Sequence, residues 1–147
     1  MLVKFVENLY VKLRALKFIK FTTYNLDLKY FNLSEFDSPD EVGSGNKMDS
    51  KFLEKLDYAR HNAGIPFKIN SGYRTKEHNL KVGGRIGSSH QKVPCQAADI
   101  AYNGSRERYI ILNALISVGI NRLGIGKSFI HCDIDNSKDQ DVIWLYN

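Results

Sequence analysis

With 147 residues, a net charge of +5 and 43% apolar side chains, the chain has the length and the apolar content for one packed domain, which excludes a disordered polyelectrolyte. The basic balance suits anionic surroundings such as nucleic acid, an acidic membrane or a phosphate-bearing wall polymer, and does not choose among them. No uninterrupted apolar run reaches the ~18 residues of a membrane span, and Cys95 and Cys132 stand too far apart for a C-x-x-C motif, although a disulfide between them stays open.

Residues 1–21 mix Leu2, Phe5, Val6, Leu9 and Leu13 with Lys4, Lys12, Arg14 and Lys17. Basic residues interrupt the stretch throughout, so it lacks the compact apolar centre of a signal peptide. It reads as an amphipathic helix packed on the domain, an ill-ordered extension, or a basic helix lying at an interface. Residues 1–26 are therefore taken as an N-terminal extension and 27–147 as the domain.

The run Ser34–Asn46, rich in Ser, Asp, Gly and Pro, predicts a long surface loop. Met48, Phe52, Leu56, Ala59 and Ala63 then recur at helical spacing, with Asp49 or Ser50 as cap and Gly64 and Pro66 as the stop. Phe67 to Ser71 alternates as a strand. Thr75 caps a short helix to Lys81, an irregular loop follows from Gly83, and a strand covers Ala97 to Ala101. Ser105 is the expected cap of a helix carrying Ile111, Leu112, Leu115 and Ile116, with Gly119 at its end. Leu123 to Ile125, Phe129 to Asp133 and Val142 to Tyr146 complete the strands. Their short connections favour antiparallel pairing, so the expected class is α+β: helices packed on a small, mainly antiparallel sheet.

Asp99 is the one charge in the apolar strand "AADIA", and a buried carboxylate needs a cation, a metal or several donors. Alternation places His131 with Phe129 and Asp133 on one strand face, opposite Ile130 and Cys132. Two imidazoles from His90 and His131 with the Asp99 carboxylate would give three zinc ligands and leave a fourth position for water. The alternative is a core histidine at 131, a loop histidine at 90, and an Asp99 paired with Arg74 or Lys92. Spacing alone does not decide, since these residues lack the compact H-E-x-x-H pattern.

The ordered runs "SGYRT", "HN", "VGG", "SSH", "AADI" and "FIHCDID" resemble the zinc D-Ala-D-Ala carboxypeptidase family, which includes VanX-type dipeptidases, L-Ala-D-Glu endolysins and the hedgehog fold. The resemblance spans roughly residues 31 to 146 and is nearest to the branch of phage and bacterial wall hydrolases. It implies one Zn2+ held by His90, Asp99 and His131. Arg74 would then bind or polarise the substrate, and Ser88 would stabilise its loop or reach the substrate. His78 and Asn79 also match, as structural residues or as substrate contacts.

Two departures stand out. Eight residues, "QKVPCQAA", separate His90 from Asp99, a longer spacing than relatives commonly show. Ser128 occupies the place, three before the last histidine, where many relatives carry a glutamate base. Asp133 is the substitute, as general base or as a partner that orients a ligand. Trp144 and Tyr146 either line a peptide groove or fill the core.

The implied activity is hydrolysis of peptidoglycan stem peptides, by D-Ala-D-Ala carboxypeptidase or L-Ala-D-Glu endopeptidase action, in a monomer that binds no nucleic acid. The implied setting is synthesis in the cytoplasm and action on the wall, as a phage lysin or a virion-associated hydrolase. A wall-binding module with weak or lost turnover is the alternative, and a basic nucleic-acid-binding protein is a rival that rests on charge alone.

Overall fold

The computed structural model describes residues 26–146; the basic stretch 1–25, with most of the expected extension, and Asn147 lie outside them. Helix α1 (Ser50–Ala63) opens where the Asp49 carboxylate accepts the Phe52 N–H at 2.9 Å, and closes at Gly64, whose φ of +64° disfavours any side chain. Phe52, Leu53, Leu56 and Ala59 form its fully buried stripe. Helix α2 (Lys76–Lys81) is capped by the Thr75 hydroxyl, which accepts the His78 N–H at 3.0 Å. Helix α3 (Gly104–Ser117) begins before the expected cap: Asn103 is the N-cap, its N–H bonded to the Glu107 carboxylate, and Ser105 lies inside the first turn.

Five strands, β1 (Lys68–Ser71), β2 (Ala97–Ala101), β3 (Arg122–Ile125), β4 (Phe129–Asp133) and β5 (Val142–Leu145), form one sheet in the order β1-β2-β4-β3-β5. The first three pairings are antiparallel, which makes the fold α+β with a mainly antiparallel sheet. The β3–β5 pair is parallel, against the expectation from short connections. β4 ends at Asp133 beside Arg122, the start of β3, and Val142 at the start of β5 also pairs with Arg122. Residues 134–141 therefore stay at one end of the sheet. β5 reverses relative to β4 and lands beside β3 with no crossover helix.

Alternation separates the two faces of the sheet. Ala98, Ile100, Leu123, Ile130 and Cys132 are fully buried and join Phe52, Leu53, Leu56, Ile111 and Leu115 of α1 and α3 in one apolar cluster. The opposite face carries the polar residues described below.

The expected surface loop before α1 is largely built in. Two 3-10 turns (Leu33–Phe36 and Ser44–Lys47) bury Phe36, Ser38 and Ser44, and Asp37 accepts the N–H groups of Gly43 and Gly45 at 2.9 and 2.6 Å. Small polar side chains here satisfy buried backbone, which is why the composition reads as loop. The segment braces the "SGYRT" run: Phe36 O accepts the Tyr73 N–H, Ser38 Oγ accepts the Thr75 N–H, and Asp40 accepts the Thr75 hydroxyl.

Candidate metal centre

Strand register sets the first part of the site. Ser71 of β1 pairs with Asp99 of β2, Asp99 with His131 of β4, His131 with Gly124 of β3, and Gly124 with Trp144 of β5. These five residues form one row across the polar face. His90 joins it from a 3-10 turn (Ser89–Gln91) outside the sheet, where the Ser88 hydroxyl accepts the His90 N–H at 3.3 Å and the His90 carbonyl accepts the Arg74 N–H at 2.9 Å.

Three side-chain atoms converge. His90 Nε2 lies 3.2 Å from Asp99 Oδ1 and 3.1 Å from His131 Nδ1, and His131 Nδ1 lies 2.9 Å from Asp99 Oδ1. All three residues are buried.

The outer hydrogen bonds decide what these atoms can do. His90 Nδ1 lies 2.6 Å from the Gly72 carbonyl, which can only accept, so Nδ1 carries the proton and Nε2 presents a lone pair. His131 Nε2 donates to Asp133 Oδ2 at 2.8 Å, which leaves Nδ1 facing inward. Two imidazole lone pairs and a carboxylate oxygen thus point at one another, an arrangement that requires a cation or a proton among them. Their separations are close to the edge of about 3.3 Å in a tetrahedron of zinc–ligand bonds about 2.0–2.1 Å long. The donor set fits a metal ion.

The protonation balance agrees. Burial pushes the His90 imidazole below its ordinary pKa, against the attraction of Asp99. Burial acts the same way on His131, but hydrogen bonds to Asp133 and Asp99 outweigh it and hold that imidazole above its ordinary value. Burial would raise the Asp99 carboxyl; the charge of His90 and the hydrogen bonds of both histidines hold it well below the carboxylate range. In a metal-free site these shifts favour a proton on His131 over one on His90 or Asp99.

Asp133 stands behind His131. Its Oδ2 accepts the His131 Nε2–H, and its Oδ1 accepts the Arg122 Nε–H at 2.8 Å and the Asp135 N–H at 3.0 Å. Against burial, the His131 hydrogen bond and charge hold its carboxyl below the ordinary range. Strand alternation places it on the same face as His131, as expected, but both of its oxygens are engaged away from the three convergent atoms.

Arg74 extends the cluster at the β1 end: Nη2 donates to Asp99 Oδ2 at 2.5 Å and Nε to Ser71 Oγ at 2.7 Å. The Arg74–Asp99 pairing and the three-residue cluster, weighed as alternatives from spacing, occur together. Ser88 caps the His90 turn. Asn79 is buried and donates to Arg85 O and Gln91 Oε1, so it organises the loop leading to His90, while the His78 N–H completes the α2 cap. Lys92 bonds Asp135 at 2.5 Å instead of Asp99. The long spacing after His90 is absorbed by Cys95, whose N–H and carbonyl bond Lys47 O and the Asp49 N–H at 2.7 and 2.8 Å. Both cysteines are buried free thiols; burial lifts Cys95 to about 12, and Cys132 points to the helix side.

Two residues escaped the sequence reading. Arg122 faces Asp133 across β3 and β4 and also donates to the Asp139 carbonyl. Asp135, 1% exposed, accepts the Ser89 hydroxyl at 2.9 Å together with Lys92 and Ser137, and so ties the His90 turn to the end of β4. Its signal was a second carboxylate two positions beyond Asp133.

A comparison with protein-family models matches residues 27–133 to Peptidase M15. The chain belongs to the peptidase M15 family. All three convergent residues, Arg74 and Ser88 lie inside the matched span, and β5 lies beyond it. No curated protein matches the chain. Among the described residues, no helix is long and apolar enough to cross a membrane.

Proposed function

We propose that this M15 family member is a zinc peptidase that hydrolyses peptidoglycan stem peptides, as a D-Ala-D-Ala carboxypeptidase or an L-Ala-D-Glu endopeptidase. The observation that carries this reading is the convergence of His90 Nε2, Asp99 Oδ1 and His131 Nδ1, with the other ring nitrogen of each histidine facing an outer acceptor. Two imidazoles and one carboxylate suit zinc, whereas calcium and magnesium favour shells of six or more oxygens. A zinc ion held there supplies a Lewis acid that lowers the pKa of water toward about 7 and polarises a carbonyl.

The chain's own groups prepare that chemistry. Gly72 O and Asp133 hold the two imidazoles in the ligating tautomer. Arg74 spends two of its five N–H groups on Asp99 and Ser71, and the others suit a peptide carboxylate or carbonyl. We assign Ser88 to the His90 turn. Asp133 is assigned to holding His131, the second of the two roles its position allowed, because both its oxygens are engaged.

That assignment favours one second reading, a wall-binding module with weak turnover, since Ser128 brings no carboxylate either. Digestion of purified peptidoglycan with and without a chelator, with products identified by mass spectrometry, separates the two. A zinc-dependent product supports the peptidase; wall binding without any product supports the module.

A further inference from the structure

The row across the polar face has two unlike ends. Arg74, bonded to Ser71 and Asp99, stands at the β1 end, and Trp144 stands at the β5 end, with Asp99 and His131 between them. Gly124 fills the row position between His131 and Trp144. A Cβ there would lie 2.5 Å from Tyr146 Cε2 and 2.6 Å from Trp144 Cε2, so both rings lie over the glycine on the metal face. The Trp144 ring is 5.6 Å from the His131 ring and 6.1 Å from the Tyr146 ring, and Tyr146 is 5.2 Å from Phe129. Arg122, which holds Asp133, lies 5.4 Å from the Trp144 ring centroid. Trp144 is half-buried and Tyr146 is 43% exposed, while the apolar core lies on the other face. The pair is fixed at its root and open at its surface, which core filling does not require.

We infer that Trp144 and Tyr146 form the subsite for the amino side of the scissile bond. The cationic Arg74 end suits the carboxylate-bearing side of a peptide, and the uncharged rings suit amide planes and small apolar side chains on the other side. The inference rests on the peptidase reading for the direction of the substrate. β5 lies beyond the residues that the family model matches.

Trp144 is the chain's only tryptophan, so its emission reports occupancy of the wall. The zinc-loaded protein is mixed with the stem peptide L-Ala-γ-D-Glu-L-Lys-D-Ala-D-Ala, and initial emission and hydrolysis are recorded in the same samples. A saturable emission change is expected, with its midpoint raised about tenfold in Tyr146→Ala and restored in Tyr146→Phe, at unchanged zinc content. Trp144→Ala should raise KM far more than it lowers kcat. Unchanged emission during hydrolysis, or a wild-type midpoint in Tyr146→Ala together with wild-type KM in both alanine variants, overturns the subsite and leaves the peptidase standing. A saturable, Tyr146-dependent change without hydrolysis keeps an aromatic peptide-binding wall but removes the peptidase and overturns the assignment to the amino side of a scissile bond; neither signal removes both.

Discussion

Asp99 and His131 reach the cluster from neighbouring strands, whereas His90 reaches it from an irregular turn, and the two regions are held by different means. The strand residues are fixed by β2–β4 register, backed by fully buried Ala98, Ile100, Ile130 and Cys132. The turn has no ladder. Polar anchors hold it: Gly72 O on His90 Nδ1, Arg74 N–H on the His90 carbonyl, and Asp135 on the Ser89 hydroxyl. Packing thus sets two of the three groups and a polar network sets the third. Damage to that network should weaken metal binding before it unfolds the domain.

The largest effect tests whether the two regions count equally for the metal. His131→Ala and His90→Ala should each reduce zinc from one ion per chain to nearly none after dialysis, read by elemental analysis. Full retention in either variant would break the equivalence. Next, Asp133→Asn weakens the hold on His131 and the ion pair with Arg122, and should lower zinc affinity about 10- to 100-fold in competition with a chromogenic chelator. A change of less than twofold would mean that register alone suffices for the strand region.

Smaller effects belong to the turn. Ser89→Ala leaves the Asp135 carboxylate short of one buried donor and should destabilise the metal-free protein by about 1–2 kcal/mol in denaturant unfolding, with a loss of zinc affinity smaller than that of Asp133→Asn. The reverse order would place the weaker support on the strand side. Acidity separates the regions again, because His131 is shifted up and His90 down. Zinc should displace a proton from His131 in preference to His90, and calorimetry in buffers of different ionisation enthalpy reads the number released. Release of two protons would contradict the opposite shifts.

In the metal-free protein the same groups make stability depend on pH. The raised His131 contributes stability that is full below about pH 6.5 and is lost as pH rises through its folded pKa. The depressed Asp99 and Asp133 contribute stability that is present above about pH 3.9 and is lost as pH falls through their folded values. The depressed His90 acts against His131, its contribution being present above about pH 6.5 and lost as pH falls through its folded pKa, so the clear expectation for a pH series of melting curves is a fall of stability in strong acid as Asp99 and Asp133 protonate.

The contrast also explains what was legible in the sequence. Asp99 showed itself as a lone charge in an apolar strand, and the alternation in "FIHCDID" put His131 and Asp133 on one face. Helices were legible at Asp49, Thr75 and Gly64, where capping is a local property. From the residues, His90 stayed open between a metal ligand and a loop histidine, and only the family resemblance chose, because an irregular turn leaves no periodic mark. The β3–β5 pairing, the Arg122–Asp133 pair and the Ser89–Asp135 bond join residues that local patterning cannot relate. For the same reason, alternation could place Asp133 beside His131 without showing that Arg122 would draw it behind the imidazole.

The central claim is that His90, Asp99 and His131 hold one metal ion. X-ray absorption at the zinc edge of the loaded protein tests it most directly. The account predicts one ion per chain, with two imidazoles and a carboxylate oxygen in a shell at about 2.0–2.1 Å, absent from His131→Ala. A zinc shell with sulfur, or one with a single imidazole that persists in that variant, would contradict it.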